Sequence, residues 1–154
     1  MLRKRLFIFT LLALLASPVI ADPLGNTAHQ KSLDDIMELI ETKKYEFIKR
    51  FSNETDFLRI KSNQAIADLP HIGRVFSGIT TGGIRFDGTI KNYKVELDTK
   101  KNKVRVNFKV KGYDDTYTCT LLISSLDSVS LSIASNNRPV IYYSGHIQTY
   151  KENQ

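Results

Sequence analysis

From Leu33 to Phe51 the hydrophobic residues recur at intervals of three and four, a spacing that predicts an amphipathic helix with one apolar stripe. Ser32 is a good N-cap for this helix, with Asp35 three residues later. Acidic residues come early in the segment and basic residues late, an order that suits the helix dipole. The stripe consists of Leu33, Ile36, Met37, Ile40, Phe47, Ile48 and Phe51.

A second, looser apolar pattern follows and predicts a second helix. Asn53 can cap it, acidic residues open it, and Pro70 ends it. The polar run Ser62-Asn63-Gln64 in its middle allows a bend. The expectation is therefore a pair of helices ahead of the rest of the domain.

From about Arg74 the hydrophobic period changes to two, the period of a half-buried strand. Val75 to Gly88 reads as strand, turn and short strand around Gly82-Gly83. Alternation over Tyr93–Leu97 and Val104–Val110 predicts a long hairpin with one wet face. Three more strands are expected at residues 116–124, 128–134 and 140–149.

Helices first and strands afterwards predict an α+β domain. The expected architecture is an N-terminal helix pair packed on a curved antiparallel meander of about five to six strands. In element order, and in nothing else, this arrangement resembles cystatin-like and nuclear-transport-factor-like rolls.

The first 21 residues have the three parts of a secretory signal peptide. Arg3-Lys4-Arg5 is the basic start, Leu6–Ala16 is almost wholly apolar, and Val19-Ile20-Ala21 offers a cleavage site after Ala21. The apolar run falls short of the roughly 20 residues that span a bilayer, so no membrane anchor is expected. The predicted organisation is a signal peptide at 1–21, a flexible lead-in at 22–31 and a single domain at 32–154, working in the periplasm or outside the cell.

Removal of the signal peptide changes the charge and the interpretation of the one cysteine. The net charge of +6 includes three cations of the signal peptide, which leaves +3 for the mature domain. That value is too mild to indicate a nucleic-acid partner. Cys119 alternates in phase with Tyr117, Leu121 and Ile123, so it is expected to be a small core residue rather than a reactive thiol.

Motifs for catalysis, metals and cofactors are not visible, and none of these functions is predicted. His29, His71 and His146 do not fall at the spacing of metal ligands. Gly82-Gly83 lacks the lysine and hydroxyl ending of a phosphate loop, and Asp114-Asp115 lies in an expected turn. Ser144 and His146 share a strand face but have no nucleophile elbow. The protein is therefore expected not to be an enzyme.

Candidate contact residues for a protein partner gather near the C-terminus. Tyr142 and Tyr143 are adjacent and must point to opposite faces of a strand, so one of them is expected to be exposed near Arg138 and His146. Tyrosine and arginine are typical of interface hot spots; a cross-strand aromatic pair is the equally good alternative. Gly82 and Gly83 offer a second candidate contact, in the glycine-rich loop.

A basic row on the hairpin is the remaining candidate. Arg105 and Lys109, with Lys111 and Lys94, are expected on the wet face, where they could recognise an acidic partner. An ordinary solvated face whose lysines prevent edge pairing is the favoured alternative.

Three functions remain open. The leading hypothesis is an exported, non-catalytic protein that binds another macromolecule, as an inhibitor, a toxin-neutralising immunity protein or an envelope-assembly subunit; a homodimer is possible. The alternatives are a carrier of a small apolar ligand held between sheet and helix and a hydrolase with a dispersed active site.

Overall fold

One helix and eight strands make up the described part of the chain. The computed structural model describes residues 24–52, 55–70, 83–113 and 115–152. The elements are α1 (Leu24–Glu41), β1 (Lys44–Lys49), β2 (Phe57–Lys61), β3 (Gln64–Leu69), β4 (Ile84–Asp98), β5 (Lys103–Lys111), β6 (Thr116–Ser125), β7 (Ser128–Ala134) and β8 (Ile141–Thr149).

The strands form a closed antiparallel barrel in the order β1 to β8, with β8 pairing back onto β1. Tyr45 faces Thr149 and Lys49 faces Gly145 across this closing seam. Closure pairs the strand edges that an open sheet would leave free. The predicted α+β fold, a helix pair on an open meander of five to six strands, is therefore wrong.

The predicted first helix merges two different elements. The helix begins at Leu24, inside the segment for which a flexible lead-in is predicted, and it ends at Glu41 rather than near Phe51. Lys43 then adopts a left-handed φ of 48° and turns the chain into β1. Tyr45 and Phe47 alternate into the interior, a period of two that the wider helical spacing conceals.

The predicted second helix is a β-hairpin. Leu58 and Ile60 on β2 and Ala65, Ala67 and Leu69 on β3 are the buried, inward positions. The polar run expected to allow a bend is the hairpin turn itself, with Ser62 at a φ of 55°. Two inward alanines, which favour helices, hide the alternation.

The strands observed after residue 83 agree with those predicted from the sequence. The predicted long hairpin is β4–β5, and the three later strands are β6, β7 and β8. β4 is longer than expected because it pairs with β3 in its first half and with β5 in its second. A bulge between Lys91 and Lys94, with Asn92 at a φ of 54°, lies where the strand changes partner. The strand predicted from Val75 lies outside the described residues.

The barrel interior is filled by side chains from alternate positions of all eight strands. Cys119 is buried there, as predicted. The hydroxyls of Tyr45 and Tyr93 are 3.0 Å apart, and burial raises the pKa of Tyr45 well above its usual range, so this phenol stays protonated. The largest fully buried aromatic side chains are Tyr45, Phe47, Phe108 and Tyr117.

The alternation of strand direction gives the barrel two different ends. Leu33, Ile36 and Ile40 of α1 join the core at the end where β1 begins, which is called the helix end here. Two-residue turns at residues 62–63 and 126–127 and a four-residue turn at residues 99–102 lie at this end. The other end, the loop end, carries the remaining connections. Within the described residues no helix has the length and apolar character needed to cross a membrane.

Candidate functional site

Four pairs of consecutive strands are connected at the loop end of the barrel: β1–β2, β3–β4, β5–β6 and β7–β8. The connections span residues 50–56, 70–83, 112–115 and 135–140, of which residues 53–54, 71–82 and 114 lie outside the described part of the chain. Three of them are longer than any turn at the helix end. Loops held by a rigid scaffold usually carry binding residues, and the loop end is therefore a candidate location for a binding site.

Exposed hydrophobic side chains concentrate at the loop end. Among the described residues six large hydrophobic side chains are exposed. Three of them lie in loop-end connections, and a fourth lies two residues after such a connection. Tyr142 is 72% exposed. The other two, Leu97 and Leu126, lie near or in turns of the helix end. The four at the loop end are Phe51, Tyr113, Val140 and Tyr142.

The adjacent tyrosines of β8 point to opposite faces, as predicted, and the inward one is Tyr143. Tyr143 is 4% exposed, and its hydroxyl donates a hydrogen bond of 2.8 Å to the carbonyl oxygen of Pro70. Burial raises the pKa of Tyr143 to about 12, although nearby Arg138 opposes the shift. The phenol is therefore a neutral donor that ties β8 to the end of β3, and it is not available as a direct contact for a partner.

Arg138 connects the β7–β8 connection to the start of β4. Its Nη1 donates a hydrogen bond of 3.3 Å to the carbonyl oxygen of Gly83. A Cβ on Gly83 would overlap the carbonyl oxygen of Leu69, so only glycine allows the β3 and β4 backbones this close. The structure thus brings three predicted site residues, Arg138, Gly83 and Tyr143, to one end of the barrel, with Tyr142 on the outer face beside them.

Asp115 holds the β5–β6 and β7–β8 connections together. Its carboxylate accepts hydrogen bonds from the backbone N–H groups of Thr116, at 2.7 Å, and Asn137, at 3.4 Å. Partial desolvation raises the pKa of Asp115, but the polar groups of Ser135, Thr116, Asn137 and Asn136 around the carboxylate lower it more, so the net effect is a lowered pKa. The ionised carboxylate is the form that fits this site.

We expect Asp115→Asn to destabilise the protein at neutral pH by about 1 kcal/mol, the usual net contribution of a hydrogen bond. Because the pKa of Asp115 is lowered in the folded protein, its contribution is present above the unfolded-state pKa and is lost as pH falls through the folded-state pKa. Urea titrations at pH 7 and near pH 3 should show a difference that shrinks in acid. A difference independent of pH would contradict the role of the charge.

Two predicted site residues lie on the outer face of β5, away from the loop-end cluster. Arg105 lies opposite Glu96, and Lys109 lies opposite Lys91. Both are exposed. Lys94 is paired in register with Asn107, and its ammonium group contacts the Glu96 carboxylate at 2.6 Å. Part of the predicted basic row is thus neutralised within the sheet.

His146 is also separated from the loop-end cluster. It points outward from the second half of β8, into a groove of about 520 Å³ between α1 and the β6–β7 turn. Asp35, Glu38 and Asp127 line the same groove. Gly82, the last predicted contact residue, lies outside the described residues.

Several loop-end residues are not predicted from the sequence. The hydrophobic spacing assigns Phe51 to the stripe of a helix, although in the structure Phe51 follows the end of β1 and is 97% exposed. Tyr113 is fully exposed in a turn that the sequence does predict, and an aromatic residue inside a turn of glycine and aspartate is the signal that could have revealed it. The role of Asp115 depends on a contact with residues more than 20 positions away, and no local pattern marks it.

The geometry defines the class of protein: a closed, eight-stranded antiparallel barrel, capped at one end by a helix and carrying a hydrogen-bonded set of loops at the other. Within the described residues no group of three or more histidine, cysteine, aspartate or glutamate side chains is placed to hold a metal ion.

The chain belongs to the DUF4251 family, a domain of unknown function, whose family model matches residues 28–147. The crystal structure of a DUF4251 family protein from Bacteroides eggerthii DSM 20697 is similar, with a TM-score of 0.60 and 18% sequence identity. The match covers 80% of this chain and 91% of that one, and at this identity it establishes the fold alone. A comparison with proteins of curated function finds no match.

Proposed function

We propose that the protein is exported and binds another protein, without catalysis, through the loop end of its barrel. The proposal of export rests on the basic, apolar and small-residue parts of the first 21 residues. The proposal of binding rests on the loop end. An inhibitor, an immunity protein and an envelope-assembly subunit are the three forms that such a function takes.

The observation that carries the proposal is the display of Tyr113, Val140 and Tyr142 on connections that are fastened to one another. Exposed aromatic side chains at a preorganised surface are typical of binding hot spots, because large apolar area is buried at little cost in conformational entropy. The hydrogen bonds that Asn137 donates to Asp115 and that Arg138 donates to Gly83 supply that preorganisation. In this proposal Arg138 holds the binding surface in place and also lies at its edge.

The two alternative functions receive less support. A carrier needs internal space, whereas Tyr45, Phe47, Phe108 and Tyr117 fill the described interior. A hydrolase needs a base in contact with a nucleophile or an orienting acid. The Ser144–His146 pair lies on the outer wall, and the two side chains line different grooves.

The proposal is tested by quantitative capture from the envelope fraction of the cells that produce the protein. The full chain, with a C-terminal tag, is expressed, and the intact mass of the purified form should correspond to cleavage after Ala21. We expect one protein to be recovered in stoichiometric amount. Tyr142→Ala and Tyr113→Ala should each weaken binding of that purified partner about 30-fold in calorimetry, which corresponds to a hot-spot contribution of about 2 kcal/mol.

Leu97→Ala is the matched control, since Leu97 is also an exposed hydrophobic side chain but lies towards the helix end. It should bind as the unmodified protein does. Recovery of no stoichiometric partner, or equal binding by the Tyr113, Tyr142 and Leu97 variants, would refute the assignment of the loop end as the binding surface.

A further inference from the structure

A second surface feature is a groove on the outer wall of the barrel, beside the end of β1. It has a volume of about 480 Å³, within the usual range of ligand pockets, about 300–1,000 Å³. Its lining comes from β6, β7 and β8, from Lys103 at the start of β5 and from the chain that leaves β1. The lining residues are Arg50, Phe51, Lys103, Leu122, Ser124, Ser128, Val129, Ser130 and Ser144.

Phe51 is the unusual residue of this groove. It is 97% exposed and has a φ of 60°, a left-handed conformation that is sterically unfavourable for a residue with a Cβ. The fold thus holds a bulky aromatic ring in an unfavourable conformation and leaves it in water. Backbone strain of this kind clusters at binding and active sites, and the positive φ of Phe51 therefore makes its ring a candidate ligand contact.

Hydrogen bonds on both sides of Phe51 hold the segment that presents it. The backbone N–H of Arg50 donates to the carbonyl oxygen of Ser144 at 2.8 Å, and the Arg50 guanidinium donates to the carbonyl oxygen of Asp127 at 3.2 Å. The hydroxyl of Ser52 donates to the carbonyl oxygen of Lys49 at 2.9 Å. The backbone that carries Phe51 is therefore held in place beside the groove.

Hydroxyl groups dominate the rest of the lining. Ser124, Ser128, Ser130 and Ser144 are all exposed, and Ser130 lies directly opposite Ser144 across the β7–β8 pairing. Each hydroxyl can both donate and accept. The only charged residues among the nine that line the groove are Arg50 and Lys103, both cationic.

We propose that this groove binds an acidic saccharide, a sugar chain that carries carboxylate groups. Its hydroxyls would exchange hydrogen bonds with the four serines, and its carboxylate would lie near Arg50 and Lys103. The CH groups on one side of a sugar ring form an apolar surface that packs on an aromatic ring, the role of Phe51. A protein segment fits less well, because Leu122 is the one large apolar side chain on the exposed floor. None of the nine lining residues is Tyr113, Val140 or Tyr142, the side chains to which the proposed protein binding is assigned.

The test is calorimetric titration of the protein, purified after removal of the signal peptide, with trigalacturonic acid and with its methyl ester. The ester removes the charge and keeps the sugar rings and all of their alcohol hydroxyls. We expect binding of the acid in the millimolar range or tighter and at least tenfold weaker binding of the ester. Phe51→Ala should weaken binding of the acid at least tenfold, and Phe51→Trp should preserve it. Arg50→Gln should reduce the preference for the acid over the ester, because only Lys103 then remains to contact the carboxylate.

Two further variants separate binding from stability. Tyr113→Ala removes another fully exposed aromatic ring and should leave saccharide binding unchanged. Phe51→Gly should abolish binding while the melting temperature stays the same or rises, because glycine accepts the positive φ without strain. A role of Phe51 in folding alone would give a lower melting temperature instead.

The proposal is overturned if the protein does not bind trigalacturonic acid at millimolar concentration, or if Phe51→Ala binds it normally. Equal affinity for acid and ester would refute the part assigned to the cations. If Phe51→Ala instead abolishes binding of the protein partner captured through the loop end, the groove is a protein contact and the saccharide assignment is wrong. Loss of saccharide binding with intact partner binding leaves the loop-end function standing.

Discussion

Gly145→Ala is expected to destabilise the protein by about 3 kcal/mol, at the upper end of the usual cost of overpacking. A Cβ on Gly145 would overlap the carbonyl oxygen of Ile48 and would lie 2.7 and 2.8 Å from the Cε2 and Cζ atoms of Phe47. Both neighbours belong to β1, which pairs with β8 at the closing seam. The side chain can gain space only if the seam opens or the buried ring of Phe47 moves.

Urea titration followed by circular dichroism measures this effect. Because the total stability of a domain is typically about 5–15 kcal/mol, the Gly145 variant should unfold at a clearly lower urea concentration. Ser144→Ala is the matched control: its side chain is exposed on the outer face of the same strand, and its effect should stay within about 0.5 kcal/mol. Similar midpoints for the two variants would show that the seam tolerates a methyl group at Gly145.

Tyr143→Ala and Tyr142→Ala are expected to differ by several kcal/mol although the residues are adjacent. Loss of the buried Tyr143 ring should cost about 3–5 kcal/mol, the range for large aromatic truncations in a core. The same change at Tyr142, which is exposed, should cost at most about 0.5 kcal/mol. Because Tyr143 is buried, Tyr143→Ala combines any effect on binding with a loss of stability, whereas Tyr142→Ala does not.

Tyr143→Phe isolates the hydroxyl from the ring. It keeps the packing but removes the donor to the Pro70 carbonyl oxygen, and we expect a loss of about 1 kcal/mol. The three variants are compared in urea at pH 7, where the phenol of Tyr143, with its pKa of about 12, is protonated. Comparable destabilisation by Tyr142→Ala and Tyr143→Ala would contradict the orientation of β8.

The candidate site shows where prediction from the sequence succeeds and where it stops. Alternation alone requires that Tyr142 and Tyr143 face opposite ways, and it places Cys119 in the core. It gives no reason to connect Arg138 with Gly83, which are 55 residues apart, or Asp115 with Asn137. Such contacts depend on which strand ends share an end of the barrel, and that is a property of the whole topology.

The N-terminal third of the domain shows the same limit within the fold itself. Residues 44–49 and 57–69 contain short strands of five or six residues, too few for the period of two to stand out against a period of 3.6. Inward alanines on β3 further favour a helical interpretation. These strands exist because β1 pairs with β8 and β3 pairs with β4, so partners distant in sequence decide their conformation.

The sequence by itself determined the strands from β4 to β8, their turns and the face that each side chain takes, because period-two burial is a local pattern over many residues. Only the tertiary structure decided that the sheet closes on itself and that one helix caps it. It also decided that exposed aromatic side chains gather at the opposite end. Closure depends on the register and close approach of β1 and β8, and those are set by packing between residues about 100 positions apart.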